Sequence, residues 1–430
     1  MLSRRRFSQL LALSPTATLL PFASRAWALE DFDVTDAPLP PRPVAPNEQY
    51  WRDVRARYLL PRDVIFLNAA NLCPSPLPVV ESLYQATKGY EASPSPTART
   101  ALTRSGREAA RALLATMLGV TPEEIVITRN TSEGNNWVSS GLALGPGDEV
   151  LVFSDNHPTN LNAWREKSKR FGFAVTTLQH ATPHPGGDYY VELFAKAVTP
   201  RTRLLAFTHL TSNAGDLFPA KEICAMARQR EVLTLLDGAQ TFGALDVDLG
   251  DIAPDFFTGS AHKWPCGPKE CGVLFVDRRV HDRIWPSVVG LYAGAVGISQ
   301  KLEGLGQRDD ARLVAFAESI RFREAIGRAI IEGRLRQLSQ MLIAELRKLD
   351  GVHVYTDPAP DRSANLVVFR PATLDPRRLG AALAERDGVV ATVRAGEDRP
   401  GIRVSPHLYN TMDEMERLVG AVKRYLTHGV

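Results

Sequence analysis

The sequence predicts an α/β fold: a large domain with a mostly parallel sheet covered by helices, plus a smaller C-terminal α+β domain. Two observations carry this. Between residues 124 and 261, short apolar strand-like runs alternate with helix-like segments, the pattern of a parallel sheet with helices on both faces. From about Asp309 the pattern changes to long helices and then short strands. At 430 residues the chain is too long for one small core. Its 44% hydrophobic and 23% charged content is ordinary for a folded, soluble protein.

Taken in order, residues 1–28 have a basic start, an apolar middle broken by Pro15 and Pro21, and an Ala26-Trp27-Ala28 end suited to cleavage. They read as a signal peptide, too short and interrupted to span a membrane. The run "SRRRF" is similar to the twin-arginine signal, which directs folded proteins to the periplasm. Removing this segment takes four arginines and no acid, so the net charge falls from +3 to −1, which argues against nucleic acid or an anionic membrane as partner.

Residues 29–60, rich in proline and charge, are expected to form an extended N-terminal arm, and residues 61–308 the large domain. A helix is expected over "TRSGREAARALLATMLG", stopped by Gly119. Strands are expected at "EIVI", "DEVLVFS", "AVTTLQ", "RLLAFTHL", "VLTLLD", "FFTGSA" and "CGVLFV", with helices at "NNWVSSGLAL", "LNAWREKSKRFG" and "PAKEICAMARQR". Residues 309–430 form the smaller domain. There Ile331, Leu335, Leu338, Leu342, Leu346 and Leu349 step by threes and fours, making one apolar stripe on a long helix able to serve both domains. The four cysteines, at 73, 224, 266 and 271, show neither metal-site nor CxxC spacing and read as packing residues.

In parallel sheets, sites gather at the carboxyl ends of the strands, and the polar residues here lie there. Lys263 sits in "TGSAHKWPCGP", on a short stiff loop between two core strands, where a solvated amine has little reason to be. A lysine beside apolar surface is a candidate for a lowered pKa and for condensation with a carbonyl. Thr131 and Ser132 open a helix after a strand, which suits an anion such as phosphate but is equally an ordinary helix cap. His157, His209, Asp237 and Gln240 follow other strands. Each has a bland structural reading alone. Together, an amine, an acid, an amide and an anion-binding turn match the needs of pyridoxal 5'-phosphate.

These residues, with "DGAQTFGALDVDL", "GSAHKWPCGP" and "GIRVSPHLYNTMDEMERL", resemble the class V aminotransferase family of fold-type I pyridoxal-phosphate (PLP-dependent) transferases. "HLTSNAG" is similar to the isopenicillin N epimerase-like branch. The resemblance implies that Lys263 joins the cofactor aldehyde and Asp237 partners the ring nitrogen. It further implies that Gln240 bonds the ring oxygen, His157 stacks on the ring, and Thr131, Ser132, Ser260 and His262 hold the phosphate. Arg403, and with it Arg394, would bind a substrate carboxylate, for which a planar guanidinium is suited.

The family also implies a homodimer with its site at the interface. Aminotransferase-type chemistry is expected, with epimerisation the alternative. The substrate would be an amino acid or a secreted peptide or siderophore, as in a periplasmic relative of pyoverdine maturation that alters a glutamate side chain. A binding protein that merely kept the fold would have lost the lysine or the acid, and both remain. Two departures matter. No cysteine follows Arg394 in "RAGEDRPG", where family desulfurases carry a reactive one, and Gln307 stands where relatives often place a threonine.

Overall fold

The computed structural model describes residues 38–430, apart from 94 and 397, so the export-type segment 1–28 lies outside the described residues. Among the described residues no helix is long and apolar enough to cross a membrane.

Thirteen strands follow in chain order. They are β1 (Ile65–Phe66), β2 (Ile125–Thr128), β3 (Glu149–Phe153), β4 (Ala174–Leu178), β5 (Thr202–Thr208), β6 (Leu233–Asp237), β7 (Phe256–Ser260), β8 (Gly272–Val276), β9 (Val352–Val354), β10 (Val367–Pro371), β11 (Val389–Val390), β12 (Thr392–Arg394) and β13 (Gly401–Val404). Seven form one sheet in the order β2-β8-β7-β6-β5-β3-β4. Its pairings are parallel from β4 to β7, and only β8 runs against its neighbours. The inner strands β5 to β8 are apolar on both faces, as a sheet covered on both sides requires. One apolar cluster lies on each face.

A four-stranded antiparallel sheet, β12-β13-β10-β9, forms the C-terminal part with the helices Pro376–Asp387 and Met412–His428. Thr411 and Glu414 make the reciprocal cap that starts the last helix. The expected stripe lies on the Arg328–Arg347 helix, where Ile331 and Leu335 enter the core of the large sheet while Leu338, Leu342 and Leu346 enter the C-terminal core. One helix therefore supplies both cores.

Two expectations change. Within 29–60, Glu48–Arg55 is helical rather than extended: Asn47 caps it by accepting from Tyr50 N–H, and Tyr50, Trp51 and Val54 share its buried face. The helix expected from residue 103 begins at Pro96, because Pro96 suits a first turn and Ser95 supplies the cap; it ends at Gly119 in the left-handed region, φ +69°. The short strand β1 pairs with β11, so the start of the large unit is stitched to the C-terminal one.

Candidate active site

The loop between β7 and β8 is built to hold its lysine. Ala261 N–H donates to Cys271 O at 2.8 Å, Gly267 N–H to Ala261 O at 2.8 Å and Cys266 N–H to Lys263 O at 2.9 Å. Trp264 is fully buried and stacks on His407, with ring centroids 5.4 Å apart and planes at 23°. Its indole N–H donates to Gln240 Oε1 at 2.9 Å, and its carbonyl accepts from Arg323 Nη1 at 2.7 Å and His407 Nε2 at 2.9 Å. With both neighbours fixed, the half-buried Lys263 side chain is free to face the cleft. It makes no hydrogen bond or ion pair among the described residues. Burial, helped by the charge of Arg403 and opposed by Asp237, brings its pKa down to about 8.

Asp237 ends β6 and is 2% exposed. Its Oδ1 accepts from Ala239 N–H at 3.0 Å, and its Oδ2 from the amides of Asn135 at 2.9 Å and Asn160 at 3.3 Å. Those amides are oriented in turn: Thr258 Oγ1 donates to Asn135 Oδ1 at 2.9 Å, and Trp164 Nε1 to Asn160 Oδ1 at 3.0 Å. The turn after Asp237 demands glycine, since a Cβ on Gly238 would meet the Phe257 ring at 2.1 Å. Sequence reasoning missed Asn135 and Asn160. Each lies on a helix, where an inward amide is indistinguishable from a solvated one unless the helix's buried face is known.

The Thr131–Gly141 helix starts beside the lysine loop. Asn130 caps it, accepting from Glu133 N–H at 2.9 Å, while Ser260 Oγ lies 2.8 Å from both Thr131 N and Thr131 Oγ1. The N–H and hydroxyl of Ser132 make no hydrogen bond among the described residues, so they remain open donors at a positive helix end. His262 is half-buried, and burial followed by the charges of Lys263 and Lys269 lowers its pKa to about 4. It is therefore a neutral donor near pH 7. A cavity of about 680 Å³ opens at this end, lined by Asn130, Ser132, Asn136 and Gln307 among others.

Arg403 on β13 is 7% exposed and has no carboxylate partner among the described residues. It donates from Nη1 to Ser212 O at 3.1 Å and from Nη2 to Thr392 Oγ1 at 3.2 Å, while its Nε is unsatisfied. Burial, then the charge of Arg394, lowers its pKa to about 10. Arg394 is half-buried, and its Nε donates to Arg399 O at 3.4 Å. Arg399 reaches across to the large sheet, meeting Asp155 at 2.6 Å and Asp216 at 3.6 Å, so the turn after Arg394 is pinned over the strand ends. Asp216 is pushed up to about 7 by burial and by Asp155, against the pull of Arg399.

His157 lies exposed at the mouth, its Nδ1 2.9 Å from Thr159 Oγ1. Partial desolvation of its ring by the surrounding chain, then the positive charge of Lys263, lowers its pKa, while Asp237 opposes them. Lys263, Asp237, His157 and Arg403 thus lie near enough to feel one another's charge. Gln240 lies beside the lysine loop. Its amide donates to Ala70 O at 3.0 Å and accepts from Trp264, so it braces the lysine loop and retains one amide hydrogen. His209 is a core residue beside Thr241, as its bland reading held.

Among the described residues, an amine without a hydrogen bond or ion pair, an anchored carboxylate and open donors at a helix end suit a phosphate-bearing carbonyl cofactor. The chain belongs to the class-V aminotransferase family, whose model matches residues 65–418. It is 30% identical over 395 residues to isopenicillin N epimerase of Streptomyces clavuligerus, covering 86% of this chain and 97% of that protein. It is 31% identical to isopenicillin N epimerase of Amycolatopsis lactamdurans, covering 87% and 98%. A probable cysteine desulfurase of Methanothermobacter thermautotrophicus is 29% identical over 85% of this chain and 96% of that protein. The fold superposes on the apo cysteine desulfurase of Thermococcus onnurineus with a TM-score of 0.78 at 23% identity, covering 87% and 98% of the two chains. Pyridoxal 5'-phosphate is the cofactor of the family, and the open donors, free amine and anchored acid described above fit it.

Proposed function

We propose that this protein is an exported pyridoxal-phosphate enzyme that transfers the amino group of an amino acid, or of an amino-acid unit in a peptide or siderophore. The observation that carries the reading is that Lys263, without a hydrogen bond or ion pair among the described residues, lies within the electrostatic reach of an anchored Asp237 and of a buried Arg403 that has no carboxylate partner among them. When bound, the cofactor supplies a sink for the electron pair left at Cα as a bond to it breaks.

The chain's own groups do the rest. Ser132, Thr131, Ser260 and His262 would hold the phosphate, and Asp237 the proton on the ring nitrogen. A lysine of pKa about 8 is partly unprotonated near neutrality, so Lys263 Nζ can bind a carbonyl carbon and later accept or return a proton at Cα. Arg403 would orient the substrate through its carboxylate, and Arg394 adds positive charge beside it.

Epimerisation is the second reading, favoured by the two near-full-length relatives named isopenicillin N epimerase. Desulfuration through a reactive cysteine is disfavoured, because all four cysteines are buried and none lies in the turn after Arg394. A homodimer is supported by the exposed apolar run Trp285, Val288, Val289, Leu291 and Tyr292. Export to the periplasm is supported by the composition of residues 1–28.

The test is product analysis by mass spectrometry in deuterated water, with free amino acids and siderophore precursor peptides as substrates. Keto product supports transamination; deuterium at Cα with the amine retained supports epimerisation. Neither product from any substrate would overturn the reading.

A further inference from the structure

Beneath the lysine loop lies a second cluster that the proposed reaction does not use. Cys73, Cys266 and His407 are all buried, and their Sγ, Sγ and Nε2 atoms lie within 4.8 Å of one another. The two sulfurs thus lie within 4.8 Å of each other. Cys266 Sγ is 3.6 Å from His407 Nε2, and Cys73 Sγ is 3.8 Å from Tyr409 Oη. The backbones are already joined, since Cys73 N–H donates to His262 O at 2.8 Å.

Such a set could hold a soft metal, but His407 is committed elsewhere. Leu408 N–H lies 2.7 Å from its Nδ1, which must therefore accept, leaving the proton on Nε2, 2.9 Å from Trp264 O. A protonated nitrogen cannot ligate a metal; it can stabilise a thiolate. Burial works against ionising Cys266, yet hydrogen bonds from Cys73 and His407 and the buried Arg323 hold its pKa well below the usual thiol value. Cys73 in turn lines an open depression of about 390 Å³ with Phe66, Leu72, Pro74 and Gly267, and Cys266 Sγ lies within 4.8 Å behind it, the distance a small oxidant entering there has to cross.

We propose that Cys73 and Cys266 are a redox-active pair that a peroxide converts to a disulfide, tying the Lys263 loop to the segment at residues 69–73. The Cys266 thiolate attacks one oxygen of hydrogen peroxide and hydroxide leaves, giving a sulfenic acid. Cys73 sulfur then attacks Cys266 sulfur, forming the S–S bond as the sulfenic oxygen departs with the Cys73 proton as water. Two thiols lose two electrons, and one peroxide becomes two waters.

The test is thiol counting under denaturing conditions on the full-length protein, first reduced and then treated with hydrogen peroxide, followed by peptide mass spectrometry. The count is expected to fall from the four cysteines of the chain to two, with a Cys73–Cys266 linked peptide that a reductant dissolves. Cys73→Ser and Cys266→Ser should each abolish the link. In a Cys224→Ser/Cys271→Ser variant, which keeps only the pair, the count should fall from two to zero. Four thiols after treatment, a link involving Cys224 or Cys271, or over-oxidation of one cysteine without a link would overturn the proposal. So would one equivalent of zinc in the purified protein that alkylating these two cysteines releases.

Discussion

Asn135, on the Thr131–Gly141 helix, donates its side-chain amide to Asp237 Oδ2 at 2.9 Å. The helix proposed to present donors to the phosphate thereby also fixes the acid proposed to partner the ring nitrogen. Losing a hydrogen bond to a buried charged group costs about 1.5–3 kcal/mol, or roughly ten- to a hundred-fold in an equilibrium. Asn135→Ala is expected to weaken pyridoxal-phosphate affinity by about that factor, measured by fluorescence titration. Unchanged affinity would mean that Asn160 and Ala239 suffice to hold Asp237.

Arg403 is expected to recognise a carboxylate, not an amine. Truncating one partner of a buried charge pair costs about 2–5 kcal/mol, so Arg403→Ala should lower kcat/KM for a carboxylated substrate by about thirty-fold or more. A simple amine lacking the carboxylate should lose far less. Equal losses for both would place Arg403 in the scaffold.

The pH dependence of cofactor capture follows from Lys263. Its folded pKa is lowered from 10.5 to about 8, so the reactive free amine is lost below that value and present above it. The rate of pyridoxal-phosphate incorporation into the cofactor-free protein should therefore rise with pH through an inflection near 8, read by stopped-flow absorbance. An inflection near 10 would contradict the desolvated environment.

A buried ion pair holds β2 in place. Arg111 and Glu303, both fully buried, meet through two bonds at 2.7 and 2.8 Å, and Glu303 also accepts from Ile127 N–H at 2.6 Å. Removing one member of a buried pair costs about 3–5 kcal/mol; Arg111 would keep Glu108, 2.8 Å from its Nε, but its two Nη atoms would lose the Glu303 carboxylate. Glu303→Gln should lose stability on that scale in denaturant unfolding, and Arg111→Met/Glu303→Leu should recover most of it. A loss below about 1 kcal/mol, the range of an exposed pair, would refute this role.

The residues legible in the sequence are those at strand ends. Asp237, Ser260 and Lys263 each follow an apolar run too short to be anything but a buried strand, so their place at the sheet's edge could be read from order alone. Less legible were groups whose role depends on which way a helix or turn faces. Asn135 and Asn160 look like ordinary polar positions until their helices are docked. Arg399 lies in a turn with no periodicity, yet it reaches Asp155 across more than two hundred residues of chain. Gln240 was recognised as a site residue, but its amide is drawn to Trp264 and Ala70, a contact that only tertiary packing creates. The N-terminal helix was missed because the five prolines before it and several charges around it outweighed the short apolar face of Tyr50, Trp51 and Val54.

The most direct measurement of the account is to load the protein with pyridoxal phosphate, reduce it with sodium borohydride, digest it and locate the attached pyridoxyl group by mass spectrometry. One label on Lys263, absent in Lys263→Ala, is the expected result. A label on another lysine, or none in a folded protein incubated with excess cofactor, would contradict it.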